Sequence, residues 1–342
     1  KPKRIFVIAD FKDEGPKSIR IQPRMWVKAL SRLGYDVQRF SYRNIMMQYS
    51  PFPGKRLAQR FAKKSVDRLL IDQLKRYYPD IVFILSMKYL DAETLRSVHD
   101  VAPGVVVIGR DEDPFPDRNP ARLAIAQEID IVITTSAGRF LQTYKDAGVP
   151  RCAFIPNVCD PDIQYRYDVE EKWKTDIIFT GKPEHTRLDR NNERYSLVQR
   201  LSQMPNSRVY GAFGIPRVEG IDYFRAISGA KIGLSTNIIN DVRLYHSDRF
   251  INYLSCGTFV LAKRVPDSDL LFEDGVHLKY FDSAEEFFEL ANWYLQHDHE
   301  REKIAKAGME RAHSEFNCER IAKYMLDLIE TGTYDAPWAE IL

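Results

Sequence analysis

The residues with the clearest chemical potential lie between 243 and 257, in the sequence RLYHSDRFINYLSCG. Ser247 is a residue type that accepts hydrogen bonds from the free N–H groups at the start of a helix. Arg243, His246 and Arg249 lie on either side of this expected helix start. Free amide groups and the helix dipole favour an anion at such a position. The spacing therefore predicts a binding site for a diphosphate group where the helix begins.

A second group of basic residues follows an apolar run in the sequence TDIIFTGKPEHTR. Gly181 ends the run, and Lys182 and Arg187 follow it, where ligands of open α/β sheets bind. Positive charge there can neutralise the charge that develops on a leaving diphosphate. Arg190 and Arg194 are four residues apart and share one helix face, for which exposure to solvent is an equally good explanation.

Acidic residues follow two strands predicted in the first half of the chain. Asp13 lies in ADFKDEG after the first strand, and Asp111 and Asp113 lie in RDEDP after the fourth. A carboxylate beyond the carboxyl end of a strand can act as a general base or bind a substrate hydroxyl. Helix capping and solvation are the simpler explanation. We treat these three aspartates as the candidate catalytic residues.

Short β-branched runs alternate with amphipathic helices almost throughout, which is typical of parallel sheets covered by helices. The segment 156–174 interrupts the alternation with two prolines and predicts a domain boundary. Before it, strands are predicted at Arg4–Ala9, Tyr35–Phe40, Asp80–Ser86, Gly104–Asp111, Asp130–Thr135 and Cys152–Asn157. After it, strands are predicted at Asp176–Gly181, Arg208–Ala212, Lys231–Thr236, Thr258–Ala262 and His277–Phe281. The fold class is therefore predicted to be α/β, with two domains of ordinary size.

Composition excludes several classes of protein. The 342 residues are 44% apolar and 29% charged, as in water-soluble globular proteins, and no run approaches 18 consecutive apolar residues. No GxGxxG motif is present, so a dinucleotide cofactor is not expected. The four cysteines form no CxxC pair and are expected to be reduced thiols. With no apolar leader at the start, we expect a cytoplasmic protein.

Charge is distributed unevenly along the chain. Residues 1–160 hold 27 Lys and Arg against 18 Asp and Glu, a net charge of +9, and the remainder holds 23 against 30, a net charge of −7. Residues 55–76 form a basic amphipathic segment, with Leu57, Phe61, Leu69, Ile71 and Leu74 near helical spacing. Such a helix can lie on an anionic membrane at the inner surface of the cell, or it can pack on a core with a solvated basic face.

Four segments in order resemble the group 1 glycosyltransferases, closest to the branch of CgeB-like spore maturation proteins. They are GRDEDPFPDRNPARLAIAQEIDIVITT (109–135), TDIIFTGKPEHTRLDRNNERYSLVQRL (175–201), IDYFRAISGAKIGLSTN (221–237) and the block 243–287. The resemblance implies the GT-B fold, in which two Rossmann-like domains face a central cleft. It implies an N-terminal acceptor domain, 1–160, completed by 318–342, and a C-terminal nucleotide-sugar donor domain, 161–317.

The resemblance implies an enzyme that moves a sugar from a nucleotide diphosphate sugar to an acceptor in polysaccharide or glycan synthesis. The expected acceptor is a glycan or a lipid-linked glycan. No cofactor and no metal are expected, since basic side chains and a helix end neutralise the diphosphate in this fold. The donor site is implied at Gly181, Lys182, Arg187, Arg243, His246, Ser247, Arg249 and Asn252.

One departure from the family leaves alternatives open. The broader retaining branch has two glutamates where this chain has Leu244 and Asn252. Asn252 can still hydrogen-bond ribose hydroxyls, whereas the side chain of Leu244 cannot contact a sugar hydroxyl. Retention and inversion of the anomeric centre both remain open. The alternatives are a nucleotide-sugar epimerase or hydrolase, a non-catalytic nucleotide-sugar-binding protein, and a glycosyltransferase that modifies nucleic acid.

Overall fold

The computed structural model describes residues 2–11, 21–112, 119–183 and 193–342. The chain divides into two compact units, the first formed by Lys1–Pro156 with Cys318–Leu342 and the second by Asn157–Asn317. This boundary lies four residues before the expected residue 160, because Asn157 and Cys159 bond inside the second unit. The Asn157 side-chain amide donates to the His246 carbonyl at 2.9 Å, and the Cys159 amide donates to the Phe316 carbonyl at 2.9 Å.

The first unit is built on a parallel sheet in which the described strands follow the order β2-β1-β3-β4-β5-β6. These strands are β1 (Arg4–Ala9), β2 (Asp36–Ser41), β3 (Ile81–Ile84), β4 (Val106–Asp111), β5 (Ile131–Thr134) and β6 (Arg151–Phe154). All six were expected, and their ends lie within three residues of the prediction. The central strands are apolar on both faces, as parallel strands covered by helices must be.

Helices cover both faces of this sheet. They are α1 (Ile21–Arg32), α2 (Tyr42–Tyr49), α3 (Lys55–Tyr77), α4 (Ala92–Val101), α5 (Pro120–Ala126), α6 (Arg139–Asp146) and α12 (Cys318–Thr331). The sequence did not reveal α2, which is only eight residues long and has no side-chain cap. The end of the chain returns to β6, where the amides of Cys152 and Leu342 donate to each other's carbonyls at 2.9 and 2.8 Å.

The buried face of α3 differs from the predicted one. Its buried residues are spaced by four: Ala58, Ala62, Val66, Leu70 and Leu74. Leu57 and Phe61, which were expected in the apolar stripe, are 43% and 51% exposed. The two alanines place the helix backbone close to the core, and that close approach turns the larger neighbours outward.

The second unit repeats the topology with five described strands in the order β11-β10-β9-β7-β8, all parallel. They are β7 (Thr175–Thr180), β8 (Ser207–Tyr210), β9 (Ala230–Ser235), β10 (Phe259–Lys263) and β11 (Lys279–Phe281). Its helices are α7 (Glu193–Leu201), α8 (Ile221–Ser228), α9 (Asp248–Ser255), α10 (Ala284–Gln296) and α11 (Asp298–Glu315). Among the described helices, none combines the length and apolar character that crossing a bilayer requires.

The strand order fixes where each sheet can bind a ligand. In both units the chain moves from the first strand to one neighbour and then crosses to the other side, so the order reverses beside the first strand. Loops leave such a point in opposite directions and open a crevice at the carboxyl ends of the two strands. In the second unit this crevice lies between β7 and β9.

Candidate functional site

Arg249 occupies the crevice between β7 and β9. It is the second residue of α9, and its guanidinium group reaches back over the ends of both strands. Its Nε donates to the Thr180 carbonyl at 2.6 Å, and its Nη1 donates to the Thr236 carbonyl at 3.1 Å. Thr180 ends β7, and Thr236 follows β9. The side chain therefore joins the two strand ends at the point where an α/β sheet binds its ligand.

Two neighbours allow this position. The Phe179 ring lies 4.4 Å from the guanidinium carbon of Arg249, within the range of a cation–π contact. Gly181 has a φ of +122°, and a β-carbon built on it would lie 2.8 Å from the Nη2 atom of Arg249. Glycine is required here both by the backbone angle and by the space that the guanidinium occupies.

Arg249 is a buried cation without an acidic partner in the described structure. Its side chain forms hydrogen bonds to two carbonyls and to the Ser247 hydroxyl, and no described Asp or Glu forms an ion pair with it. Only 8% of the residue is exposed. A buried charge is costly unless it is paired. No described residue accepts a hydrogen bond from Nη2, so this donor remains for an anionic ligand.

A second buried arginine increases the positive potential. Arg194, in the first turn of α7, is 7% exposed and donates to the Lys182 carbonyl. Its guanidinium carbon lies 5.6 Å from the Phe179 ring, the same ring that contacts Arg249. Arg194 therefore does not lie on a solvent-exposed helix face, which was the alternative explanation from the sequence. Lys182 itself is exposed, and both Arg187 and Arg190 lie outside the described residues.

Ser247 is the N-cap residue of α9, but its side chain forms no capping hydrogen bond. The prediction that this hydroxyl would cap the helix is wrong. The hydroxyl instead accepts from Nη1 of Arg249 at 3.2 Å, and the Ser247 amide donates to the Asn237 side chain at 3.0 Å. Ser247 therefore helps to orient Arg249 and leaves the first-turn amides of α9 without a cap from its side chain.

Arg243 and His246 lie beside the site with their side chains already engaged. Arg243 donates through Nε to the Asp267 carboxylate at 2.6 Å. His246 is buried and stacks on Phe250, with ring centroids 4.0 Å apart, and no described residue bonds its Nε2. Burial lowers the pKa of His246 to about 3, so the ring is neutral near pH 7. Of the three basic residues around the helix start, Arg249 presents the available charge.

Asn252 lies one turn further along α9 in a polar network. Its side-chain oxygen accepts from Gln164, and its side-chain nitrogen lies 3.4 Å from the Tyr223 hydroxyl. Leu244 is buried and adopts a left-handed backbone conformation, with a φ of 57°. A buried leucine side chain offers no hydrogen-bonding group to a sugar at this position.

In the first unit, the fourth strand ends at the candidate Asp111. The carboxylate is buried and accepts from the Tyr144 hydroxyl and, at 3.1 Å, from Nη1 of Arg122. It lines a cavity of about 500 Å³ together with Lys88 and Arg110. Burial and the nearby Asp111 carboxylate raise the pKa of Tyr144. The Tyr144 hydroxyl and the Arg122 guanidinium group thus fix the orientation of the Asp111 side chain.

The other predicted acids lie outside the described residues. Asp13 falls in 12–20 and Asp113 in 113–118. At the end of β1, the described acid is Asp10, which is buried with the Arg43 guanidinium 3.7 Å away. No cluster of three or more His, Cys, Asp or Glu side chains suited to a metal ion occurs within the ranges that the structure covers. Because Asp113 is not among them, metal independence stays a prediction.

Several site residues gave no signal in the sequence. Thr180 and Thr236 contribute backbone carbonyls, which any residue at a strand end can supply. Tyr223 and Gln164 come from elements far from α9 in the chain. For Phe179, the informative signal was its place two residues before Gly181, at the end of an apolar run.

A family model described as "Glycosyl transferase-like" matches residues 191–327. The match covers the segment from α7 into α12, and so includes both buried arginines and all of α9. It confirms the predicted enzyme class, a glycosyltransferase. No characterised protein sequence gives a significant match.

Solved structures resemble nearly the whole chain. HepE from Anabaena, determined with UDP and glucose, is 12% identical over 97% of this chain and 100% of its own, with a TM-score of 0.59. Sucrose-phosphate synthase from Thermosynechococcus elongatus is 14% identical over 96% of this chain and 98% of its own, with a TM-score of 0.64. A protein from Listeria monocytogenes assigned as a UDP-N-acetylglucosamine 2-epimerase is 12% identical, over 97% of each chain, with a TM-score of 0.57. At these identities the likeness concerns the fold, and it confirms the predicted GT-B fold.

Proposed function

We propose that this glycosyltransferase takes its sugar from a nucleoside diphosphate sugar whose diphosphate binds Arg249. One observation carries the proposal: a buried guanidinium group without a described acidic partner lies at the strand-order reversal of the second unit. A diphosphate would supply the missing negative charge and accept from Nη2 in a charge-assisted hydrogen bond. The determination of HepE with UDP supports a uridine nucleotide as the first candidate.

The residues around Arg249 receive distinct roles. Arg194 and Lys182 add positive charge beside Gly181, and the N-terminus of α9 adds the positive end of its helix dipole. Asn252, held by Gln164, is proposed to hydrogen-bond the ribose. Arg243 and His246 are proposed to act indirectly, by shaping the loop before α9. Stabilising the leaving diphosphate electrostatically is the largest effect that such a site can have on the rate of sugar transfer.

The acceptor is proposed to bind the first unit, in the cavity beside Asp111. The Asp111 carboxylate already accepts two hydrogen bonds, so its oxygen atoms are held in place by fixed donors. It is therefore proposed to bind and orient an acceptor hydroxyl. Asp13 and Asp113 are the proposed general bases if the enzyme inverts the anomeric centre.

The finer assignments are part of the same proposal. They comprise the CgeB-like branch, an acceptor that is a glycan or a lipid-linked glycan of polysaccharide synthesis, a cytoplasmic location and activity without metal. The basic first unit supports contact with an anionic partner, and α3 contributes many of its basic residues.

Binding of nucleotides tests the donor site directly. UDP, ADP and GDP are added to the protein, and the thermal unfolding midpoint is measured. A ligand at a hundred times its dissociation constant stabilises the fold by about 2.7 kcal/mol, and the midpoint should rise by several degrees. The absence of a shift with every nucleoside diphosphate would overturn the proposal.

The donor sugar and the reaction class are tested next with nucleotide sugars. Release of the nucleoside diphosphate that requires an added glycan supports transfer. Epimerised or hydrolysed donor, formed without any acceptor, would instead identify the epimerase alternative, whose fold the Listeria structure shares. Binding without turnover would indicate a non-catalytic binding protein.

A further inference from the structure

An exposed apolar cluster lies at the corner formed by α2, the following loop and the start of α3. Tyr49, Phe52, Leu57 and Phe61 are each more than two-fifths exposed. The rings of Phe52 and Phe61 lie 5.0 Å apart, so the cluster is continuous across the loop and the helix. A single exposed apolar side chain is ordinary, whereas a contiguous group marks an interaction surface.

The charge around this cluster has one sign. Between residues 37 and 66 the sequence contains seven Lys and Arg and no Asp or Glu. At 100° per residue, Leu57, Phe61, Lys64 and Arg68 fall on one stripe of α3, opposite the buried stripe, and Arg60 lies next to it. None of these three basic side chains pairs with an acid in the described ranges. The guanidinium carbon of Arg60 lies 5.8 Å from the Phe61 ring.

Lys63, on the same helix, differs from these residues. Its ammonium group lies 2.6 Å from both the Asp67 and the Asp91 carboxylates. These acids satisfy its charge, and they tie α3 to the cap of α4, where Asp91 accepts from the Thr94 amide. Lys63 is therefore a structural residue, and the outward charge belongs to Arg60, Lys64 and Arg68.

We propose that this surface, the Phe61 face, binds the surface of a lipid bilayer that contains anionic lipids. The Phe61 face comprises Tyr49, Phe52, Leu57 and Phe61 with Arg60, Lys64 and Arg68. Aromatic and aliphatic side chains enter the boundary between headgroups and acyl chains, while the flanking basic residues bind the anionic headgroups. Nucleic acid would attract the same basic residues, but it offers no apolar interior for an aliphatic side chain such as Leu57.

The inference goes beyond donor binding, which concerns the other unit. If the proposed glycosyl transfer also holds, it identifies the acceptor class: a glycan carried on a membrane lipid, held at the surface that this unit contacts. That extension rests on the proposed function, whereas binding to the bilayer does not.

Co-sedimentation with vesicles tests the inference. The protein is mixed with vesicles of phosphatidylcholine alone and with vesicles that also contain phosphatidylglycerol. We expect binding to the anionic vesicles, weakened by salt because charges at the surface are screened. Each basic residue near such a membrane strengthens binding about fivefold, the equivalent of about 1 kcal/mol, so Arg60→Glu with Lys64→Glu should weaken it at least about 25-fold.

A matched control lies on the same helix. Lys75 and Arg76 are exposed basic residues near its C-terminus, about 20 Å from Phe61 and about 10 Å from Arg68, the nearest residue of the Phe61 face, along the helix axis. Lys75→Glu with Arg76→Glu makes the same change of charge and should leave most of the binding intact. Leu57→Ser with Phe61→Ser removes exposed apolar area without touching the core, and should weaken binding while all charges remain.

Three outcomes would overturn the inference. The first is that the unmodified protein does not sediment with anionic vesicles at low salt. The second is that the control variant loses as much binding as the variant of the Phe61 face, which would indicate diffuse attraction. The third is salt-sensitive binding to duplex DNA that depends on Arg60 and Lys64, with no binding to vesicles. UDP-induced thermal shifts of the same variants report separately on the donor site.

Discussion

Replacing Arg249 by alanine removes the guanidinium group that joins the ends of β7 and β9. In the protein, Nη2 is the donor left for the ligand, and a charge-assisted hydrogen bond contributes about 1.5–3 kcal/mol. We therefore expect Arg249→Ala to weaken nucleoside diphosphate binding by about ten- to a hundredfold. Isothermal titration calorimetry with UDP measures the effect at a temperature where both proteins are folded.

The same substitution should also cost stability, because the carbonyls of Thr180 and Thr236 lose their donor. Arg249→Lys separates the two effects, since an ammonium group keeps the charge but cannot hold both carbonyls in the planar geometry of guanidinium. Its affinity should fall between those of the alanine variant and the unmodified protein.

Arg225→Ala is the matched control for charge. Arg225 lies late in α8, its side chain is largely exposed, and it pairs with Asp222 at 3.0 Å. Removing it should leave UDP affinity unchanged and cost little stability, as is usual for a surface pair. Unchanged UDP affinity in a folded Arg249→Ala protein would refute the reasoning, since it would show that the buried cation does not contact the nucleotide.

Gly181→Ala should destabilise the fold by about 1–3 kcal/mol, because the φ of +122° is strained for alanine, and denaturant titration measures this loss. The same change should weaken UDP binding, because the new methyl group would displace Nη2 of Arg249, and calorimetry measures the affinity. Enzymatic activity should survive excess EDTA. A loss of activity that manganese or magnesium restores would identify a metal-dependent enzyme, with Asp111 and Asp113 as candidate metal ligands. Burial depresses the pKa of His246 from about 6.5 in the unfolded chain to about 3 in the folded protein. Between these two pH values the unfolded chain binds a proton at His246 and the folded chain does not. The free energy of unfolding should therefore fall by about 1.4 kcal/mol per pH unit as pH drops through that range, and His246→Phe should lack this component in denaturant titrations at several pH values.

Much of the architecture was predictable from local patterns. Every described strand was expected within about three residues, because apolar β-branched runs between turns determine a strand largely from its own sequence. The helix α3 was expected from the basic amphipathic segment 55–76, and the start of α9 was expected at Ser247. The short helix α2 was missed because one or two turns carry too little periodicity to distinguish helix from loop.

The choice of buried face was not predictable. On α3, the larger Leu57 and Phe61 seemed better core residues than Ala58 and Ala62, yet the alanines are buried. Which side of an amphipathic helix faces inward depends on the surface it packs against. That surface is formed by residues distant in sequence, and a close approach selects small side chains.

The sequence by itself determined that basic residues surround the start of a short helix after a strand, and it therefore predicts an anion-binding site there. Only the tertiary structure decided which residue carries the charge. Arg243 is neutralised by Asp267, 24 residues later, whereas Arg249 reaches Thr180, 69 residues earlier, and forms its hydrogen bonds in the described structure with carbonyl and hydroxyl oxygens. Residue type sets the charge of a side chain, but its compensation depends on neighbours that only the folded chain brings together.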